Sequence, residues 1–207
     1  MTEFSSLGIS PKLLEAVSAL GFQSPTEVQQ KAIPVLLEKQ TDIVVLAQTG
    51  TGKTAAFGLP MLQQIDTSSK STQGVVITPT RELCVQISKE LTKYASSIIG
   101  LNIVPIYGGA SINNQTKAVK KGAQVLVATP GRMQDMMRRK YIDISSIAFC
   151  VLDEADEMLN MGFKEDITNI LSYTPDDKLT WLFSATMPKE VARIAREFMD
   201  NPLEITV

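Results

Sequence analysis

Ile43-Val44-Val45-Leu46-Ala47-Gln48-Thr49-Gly50-Thr51-Gly52-Lys53-Thr54 is the stretch whose reading decides the fold of this 207-residue chain. It opens as a short apolar, β-branched run, the pattern of a strand buried on both faces. It breaks at a glycine-rich loop, ends in Gly-Lys-Thr, and continues through Ala55-Ala56-Phe57-Gly58-Leu59 as a helix. Strand, glycine loop, lysine, hydroxyl and helix together make a phosphate-cradling P-loop. Gly50 and Gly52 let the backbone turn tightly and aim its N–H groups at a polyanion. The helix start adds unpaired amides and the positive end of its dipole. Lys53 is a compact charge that can reach β- and γ-phosphates, and Thr54 offers a hydroxyl to Mg2+. Ala47 stands where the strict pattern has its first glycine, and is small enough for the turn.

Composition narrows the chemistry. A hydrophobic fraction of 44% is ample for a core, and the length suits one domain. The net charge of −2 argues against a broad basic coat for nucleic acid, though not against a local groove. There is no histidine, so imidazole bases, His-based zinc sites and Ser-His-Asp triads are impossible. The two cysteines, Cys84 and Cys150, form neither a metal-spaced pair nor a disulfide framework. The N-terminus lacks a signal-peptide pattern and no apolar run is long enough to span a bilayer, so the expectation is a soluble cytoplasmic protein without a membrane partner; a monomer is expected as well.

The chain then alternates. About forty residues of helical preface come first. Ser10-Pro11 starts one helix, which Gly21 closes; Ser24-Pro25-Thr26-Glu27 starts another, with a capping box from Ser24 to Glu27, and Pro34 interrupts or kinks it. After the P-loop helix, strands are expected at 74–78, 102–106, 124–128, 148–152, 179–183 and 203–207, with helices at 81–94, 112–121, from 130, and 188–198. Asp66 to Thr72 is expected to be a mobile polar loop. This alternation implies an α/β fold with a mostly parallel sheet and helices on both faces. Nearly all the polar signatures follow strands directly, so they should meet at the carboxyl edge of the sheet.

Asp153-Glu154-Ala155-Asp156 follows an apolar strand, the setting of the acidic residue that completes a Mg2+ site in P-loop NTPases. Glu154 could orient or deprotonate an attacking water. Without the P-loop, the cluster would read as an acidic helix start stabilised by the dipole. The Lys117-Lys120-Lys121 and Arg138-Arg139-Lys140 clusters read as solvated faces. Met133, Met136, Met137, Met158 and Met161 read as packing residues.

Asp153-Glu154-Ala155-Asp156 also spells the signature of the DEAD-box ATP-dependent RNA helicases, and the whole chain resembles that family's N-terminal RecA-like domain. Gly21 to Gln29 is similar to its adenine-recognising element, with Phe4 as the upstream aromatic. Ala47 to Thr54 resembles its phosphate loop, where alanine at the first position is usual. The resemblance implies that Phe22 stacks on adenine and that Gln29 pairs with the adenine edge. It places ATP phosphates on Gln48, Thr49, Gly50, Thr51, Gly52, Lys53 and Thr54, with Mg2+ held through Thr54 and Asp153. It makes Pro79, Thr80, Arg81, Gly108, Gly109, Thr129, Pro130, Gly131 and Arg132 contacts to an RNA sugar-phosphate chain, which position a strand without reading sequence. It ties Asp156 to Ser184 and Thr186, linking nucleotide state to RNA grip. Cys84 stands where the family usually has alanine.

The family's core also has a second RecA-like domain that brings arginine fingers, typically worth about 10^3 to 10^5 in rate. The expectation is that this chain is the N-terminal half of such an enzyme and turns over little ATP alone. Two alternatives stand beside it: a DNA-directed P-loop motor, and a binding module without turnover.

Overall fold

A computed structural model describes residues 3–207 and shows seven parallel strands sandwiched between two layers of helices. A short 3-10 turn, Phe4–Leu7, leads into α1 (Pro11–Ala19) and α2 (Glu27–Glu38). Then come β1 (Ile43–Leu46), α3 (Lys53–Gln63), β2 (Gly74–Ile77), α4 (Arg81–Tyr94), β3 (Ile103–Ile106), α5 (Ile112–Lys120), β4 (Val125–Ala128) and α6 (Pro130–Arg138). The chain continues through β5 (Phe149–Leu152), α7 (Ala155–Asn160), α8 (Lys164–Ser172), β6 (Leu179–Ser184), α9 (Lys189–Phe198) and β7 (Leu203–Thr206). Every strand pairing is parallel, in the order β3-β4-β2-β5-β6-β1-β7.

The two-residue period of a strand sorts the sheet's side chains onto two cores. Ile43, Val45, Val76, Val151, Trp181 and Phe183 face the layer of α1 to α4. Val44, Val75, Ile77, Cys150, Leu152 and Leu182 face α6 to α9. The inner strands are almost wholly apolar because both faces are covered; Thr180 and Ser184 of β6 are the buried polar exceptions. No described helix is long and apolar enough to cross a membrane.

Several local expectations change. The capping box at α2 joins Thr26 and Gln29, not Ser24 and Glu27: the Thr26 amide donates to Gln29 Oε1 at 3.0 Å. Glu27 is the first helical residue and pairs instead with Lys31, one turn on, at 2.7 Å. Pro34 does not end α2, which runs on to Glu38. Burial of Ile33 and Leu36 on either side of it offsets the missing amide bond. The polar connection from Asp66 is tied back: Gln73 accepts from the Asp66 amide at 2.8 Å and donates to its carbonyl at 2.7 Å, and Gln124 donates to Ser69 O. Met133, Met136 and Met158 are fully buried, whereas Met161 lies in the turn after α7 and is half exposed.

Asp42, just before β1, fixes the amino edge. Its carboxylate accepts the Thr180 amide at 2.6 Å and the Asp200 amide at 2.7 Å, so it ties β1 to the start of β6 and to the turn before β7. Burial pushes its pKa up and the two amides pull it back, leaving it raised. Asp42→Ala strands both amides and should cost about 2 kcal/mol of folding free energy. Denaturant unfolding followed by the fluorescence of Trp181 checks this; an unchanged midpoint would remove Asp42 from the account.

Candidate functional site

Because every strand points the same way, the loops after them share one edge. The strand order divides that edge into neighbouring halves. β5, β6 and β1 carry the acidic tetrad, Ser184-Ala185-Thr186 and the P-loop; β3, β4 and β2 carry Gly108-Gly109, Thr129 to Arg132 and Pro79 to Arg81.

On the first half, Gly50 and Gly52 both hold positive φ, at 83° and 93°, and Gly52 is the cap from which α3 starts at Lys53. A Cβ on Gly52 would come within 2.5 Å of Gln29 Nε2. That closeness is used: Gln29 Nε2 donates to the Gly52 carbonyl at 3.1 Å while its Oε1 accepts from Thr26. Gln29, 4% exposed, therefore clamps the loop as well as facing the cavity beside it. A carboxamide can make four hydrogen bonds and these use two, so capacity for a base edge remains. Thr51 Oγ1 donates to Gln48 O at 2.7 Å, pinning the outer turn.

The cavity, of about 480 Å³, is lined by Phe22, Gln29, Lys53, Thr54, Asp153 and Glu154 among others. Phe22 is 38% exposed, with Phe4 stacked behind it at 6.1 Å and Tyr94 edge-on at 6.1 Å. Phe4 itself is buried and supports Phe22 from behind.

Lys53 is 5% exposed and shares its ammonium between Glu154 Oε1 at 2.9 Å and the Ala47 carbonyl at 3.2 Å. Thr49 Oγ1 makes a longer contact of 3.5 Å to the same Glu154 oxygen. Glu154 is one of few non-glycine residues with positive φ, 53°, between β5 and α7. Such a conformation costs of the order of 1–3 kcal/mol and is held only where the surroundings impose it. It lets Asp153 turn inward while Glu154 reaches Lys53. Burial pushes the Asp153 carboxyl up to about 7, against the attraction of Lys53 and reinforced by Glu154. Its Oδ1 is buried without a hydrogen-bond partner. An unpaired carboxylate oxygen and a threonine hydroxyl lining one cavity are a donor set that suits Mg2+, which takes one or two carboxylates and keeps its waters. Among the described residues no cluster of three or more acidic or sulfur ligands forms a protein-only metal cage.

Asp156 joins the acidic turn to β6. Its amide donates to Ser184 Oγ at 3.2 Å, and Thr186 donates to Asp156 Oδ2 from its amide at 3.0 Å and its hydroxyl at 2.6 Å. Burial raises this carboxyl's pKa, but hydrogen bonds from Thr186, Ser184 and the Glu157 amide outweigh it, leaving the value lowered.

On the second half, the Arg81 guanidinium lies over the Tyr107 ring at 5.1 Å, beside Gly109, whose φ is 80°. Thr80 caps α4 by accepting the Leu83 amide at 3.2 Å, which leaves its hydroxyl proton free to donate. Thr129 occupies the same position before α6 with no side-chain cap bond. Arg132 donates from Nη1 to Ala110 O at 3.1 Å and to Gln115 Oε1 at 3.3 Å. Pro79 and Pro130 are buried and shape these turns, whereas Gly108, Gly109 and Gly131 are exposed.

The DEAD/DEAH box helicase family profile matches residues 26–194. The chain belongs to the DEAD/DEAH box helicase family. It is 50% identical over 207 residues to the DEAD-box ATP-dependent RNA helicase CshA of Bacillus cereus, covering all of this chain and 39% of that protein. It is 48% identical over 203 residues to the ATP-dependent RNA helicase DeaD of Mycobacterium tuberculosis, covering 98% and 36%. The crystal structure of a DEAD box protein from Methanococcus jannaschii superposes with a TM-score of 0.95 at 39% identity, over all of this chain and 56% of that one. The chain thus spans well under half the length of these curated relatives and corresponds to their N-terminal part.

In this DEAD-box domain, three residues that the sequence does not mark brace residues that it does: Tyr94 packs edge-on against Phe22, Tyr107 carries Arg81 on its ring, and Gln115 accepts from Arg132. Each is a single polar or aromatic residue in an otherwise ordinary element. Only the burial of Gln115 in a helix that reads as polar sets it apart, and burial has no signature in one sequence.

Because the Asp156 carboxyl titrates below its unfolded value, its bonds stabilise the fold fully above the ordinary carboxylate range and lose that contribution as pH falls through the folded-state value. Thr186→Val should therefore cost about 1–2 kcal/mol at pH 7 and less at pH 3. Unfolding curves at the two pH values check it; an equal cost at both would contradict a bond to an ionised Asp156.

Proposed function

We propose that this domain binds ATP with Mg2+ on one half of its carboxyl edge and single-stranded RNA on the other. Joined to a second RecA-like domain, it would form an RNA helicase that hydrolyses ATP while locally opening duplexes. The observation that supports this most is the grouping of the Lys53 ammonium, the unpaired Asp153 oxygen and Glu154 in one cavity beside a glycine-rich loop.

The residues suggest how the site works. Lys53 is held by Glu154, so a γ-phosphate entering the loop competes with that carboxylate for the ammonium. Transfer of Lys53 to phosphate frees Glu154 Oε1 to accept a proton from a water attacking the γ-phosphorus. The bond from that phosphorus to the bridging oxygen then breaks, giving ADP and phosphate. Mg2+, held through Asp153 and Thr54, would supply charge neutralisation on the phosphate oxygens. Gln29 and Phe22 would select adenine by its edge and its face. Asp156, bonded to Thr186, would pass the state of the acidic turn to β6. On the RNA half, Pro79, Thr80, Arg81, Gly108, Gly109, Thr129, Pro130, Gly131 and Arg132 would hold the sugar-phosphate chain, which makes binding indifferent to sequence. A soluble cytoplasmic monomer is the setting this reading expects.

Lys53→Ala in the two-domain enzyme should abolish ATP turnover; unchanged ATPase would refute the phosphate role. Glu154→Gln should lower turnover by about a hundredfold or more and, by freeing Lys53, bind ATP at least as tightly. Turnover that survives, or ATP binding that collapses, would count against Glu154 as the base. The isolated chain should show little RNA-stimulated ATPase; robust turnover would refute the need for a second domain.

A further inference from the structure

We infer that Gln115, in the second turn of α5, is the positioning residue that aims Arg132 and the Gly108-Gly109 loop at an RNA phosphate. The inference rests on the RNA-binding reading of this half of the edge and adds a residue that reading does not contain.

Three observations converge on it. Gln115 is 7% exposed although it sits on a helix dominated by polar residues. A buried carboxamide is costly unless both ends are satisfied. Here both are: Nε2 donates to the Tyr107 carbonyl at 2.9 Å and Oε1 accepts from Arg132 Nη1 at 3.3 Å. Arg132 Nη1 also donates to the Ala110 carbonyl at 3.1 Å. The carbonyls of Tyr107 and Ala110 flank Gly108 and Gly109, so the two side chains clamp the glycine pair from both ends.

The consequence for Arg132 is geometric. Its Nη1 is taken by Ala110 and Gln115, which leaves the Nε–Nη2 side of the fork to face a ligand. That side presents two parallel N–H groups, the arrangement that grips a phosphate bidentately. Without Gln115 the guanidinium is held at one carbonyl only and can rotate away. The same strut reaches Arg81 indirectly, because Tyr107, whose carbonyl Gln115 holds, carries the Arg81 guanidinium on its ring. Gln115 thus connects the loops after β2, β3 and β4 without needing to touch RNA.

The test is a mutant cycle on this chain, read by fluorescence anisotropy of a labelled single-stranded oligouridine across a salt series. Gln115→Leu keeps the volume and removes both bonds. It should weaken RNA binding about tenfold and flatten the salt dependence by about one phosphate contact. Arg132→Ala should do the same, and adding Gln115→Leu to Arg132→Ala should cost little more. Affinity for a fluorescent ATP analogue should stay unchanged in all three. A Gln115→Leu loss that persists in full without Arg132, or one that leaves the salt slope intact, would overturn the positioning role. So would a Gln115→Leu protein that binds RNA normally. If Arg132→Ala itself has no effect, the RNA reading of this edge fails first, a different result from failure of Gln115 alone. Should Gln115→Leu unfold, Gln115→Met gives the same reading, and loss of ATP-analogue binding along with RNA binding would mark the residue as merely structural.

Discussion

The placement of β5 between β2 and β6 governs what this edge can do. Leu152 at its end registers with Ile77 on one side and Leu182 on the other. The acidic turn that follows therefore stands between the P-loop on one side and the loops after β2, β4 and β3 on the other, where the proposed nucleotide and RNA halves would meet. A turn at the rim of the sheet would serve one half only. From its central position Asp153 and Glu154 reach the P-loop, while Asp156 grips the strand end carrying Ser184 and Thr186.

That central turn is held under tension. Glu154 adopts a left-handed backbone, Asp153 keeps a buried oxygen unpaired, and Lys53 and Glu154 form an ion pair with little solvent around it. Each feature costs folding free energy by itself. They persist because the surrounding strands are largely apolar on both faces and because Asp156 is locked by several donors. The stability of the sheet is what permits an active edge of this kind. The same logic explains Gln29, which caps α2, braces Gly52 and lines the cavity at once.

The sequence revealed the elements whose chemistry is local. A P-loop announces itself because strand, glycines, lysine and hydroxyl must be consecutive. The acidic turn does so because it follows a run of apolar residues, and the strand and helix spans expected from periodicity fell within a residue or two for the same reason, whereas α7 and α8 were not anticipated. What stayed hidden depended on distant partners. Thr26 displaced Ser24 as the cap because Gln29, not Glu27, was positioned to close the box. Pro34 passed through α2 because the core beneath it rewards continuing the helix. Asp42 and Gln115 have ordinary neighbours in sequence, and only folding brings Thr180, Asp200, Tyr107 and Arg132 to them.

The proposed division of the carboxyl edge into a nucleotide half and an RNA half is tested most directly by amide chemical-shift mapping of this chain. Mg2+ with an ATP analogue, and single-stranded RNA, would be titrated separately. The nucleotide should move amides at 48–54 and 153–156, and the RNA those at 80–83, 108–110 and 129–132, with overlap confined to the turn around Asp156 and Thr186. Perturbation of one shared set by both ligands, or RNA shifts centred on the Lys117 or Arg138 faces, would contradict the division.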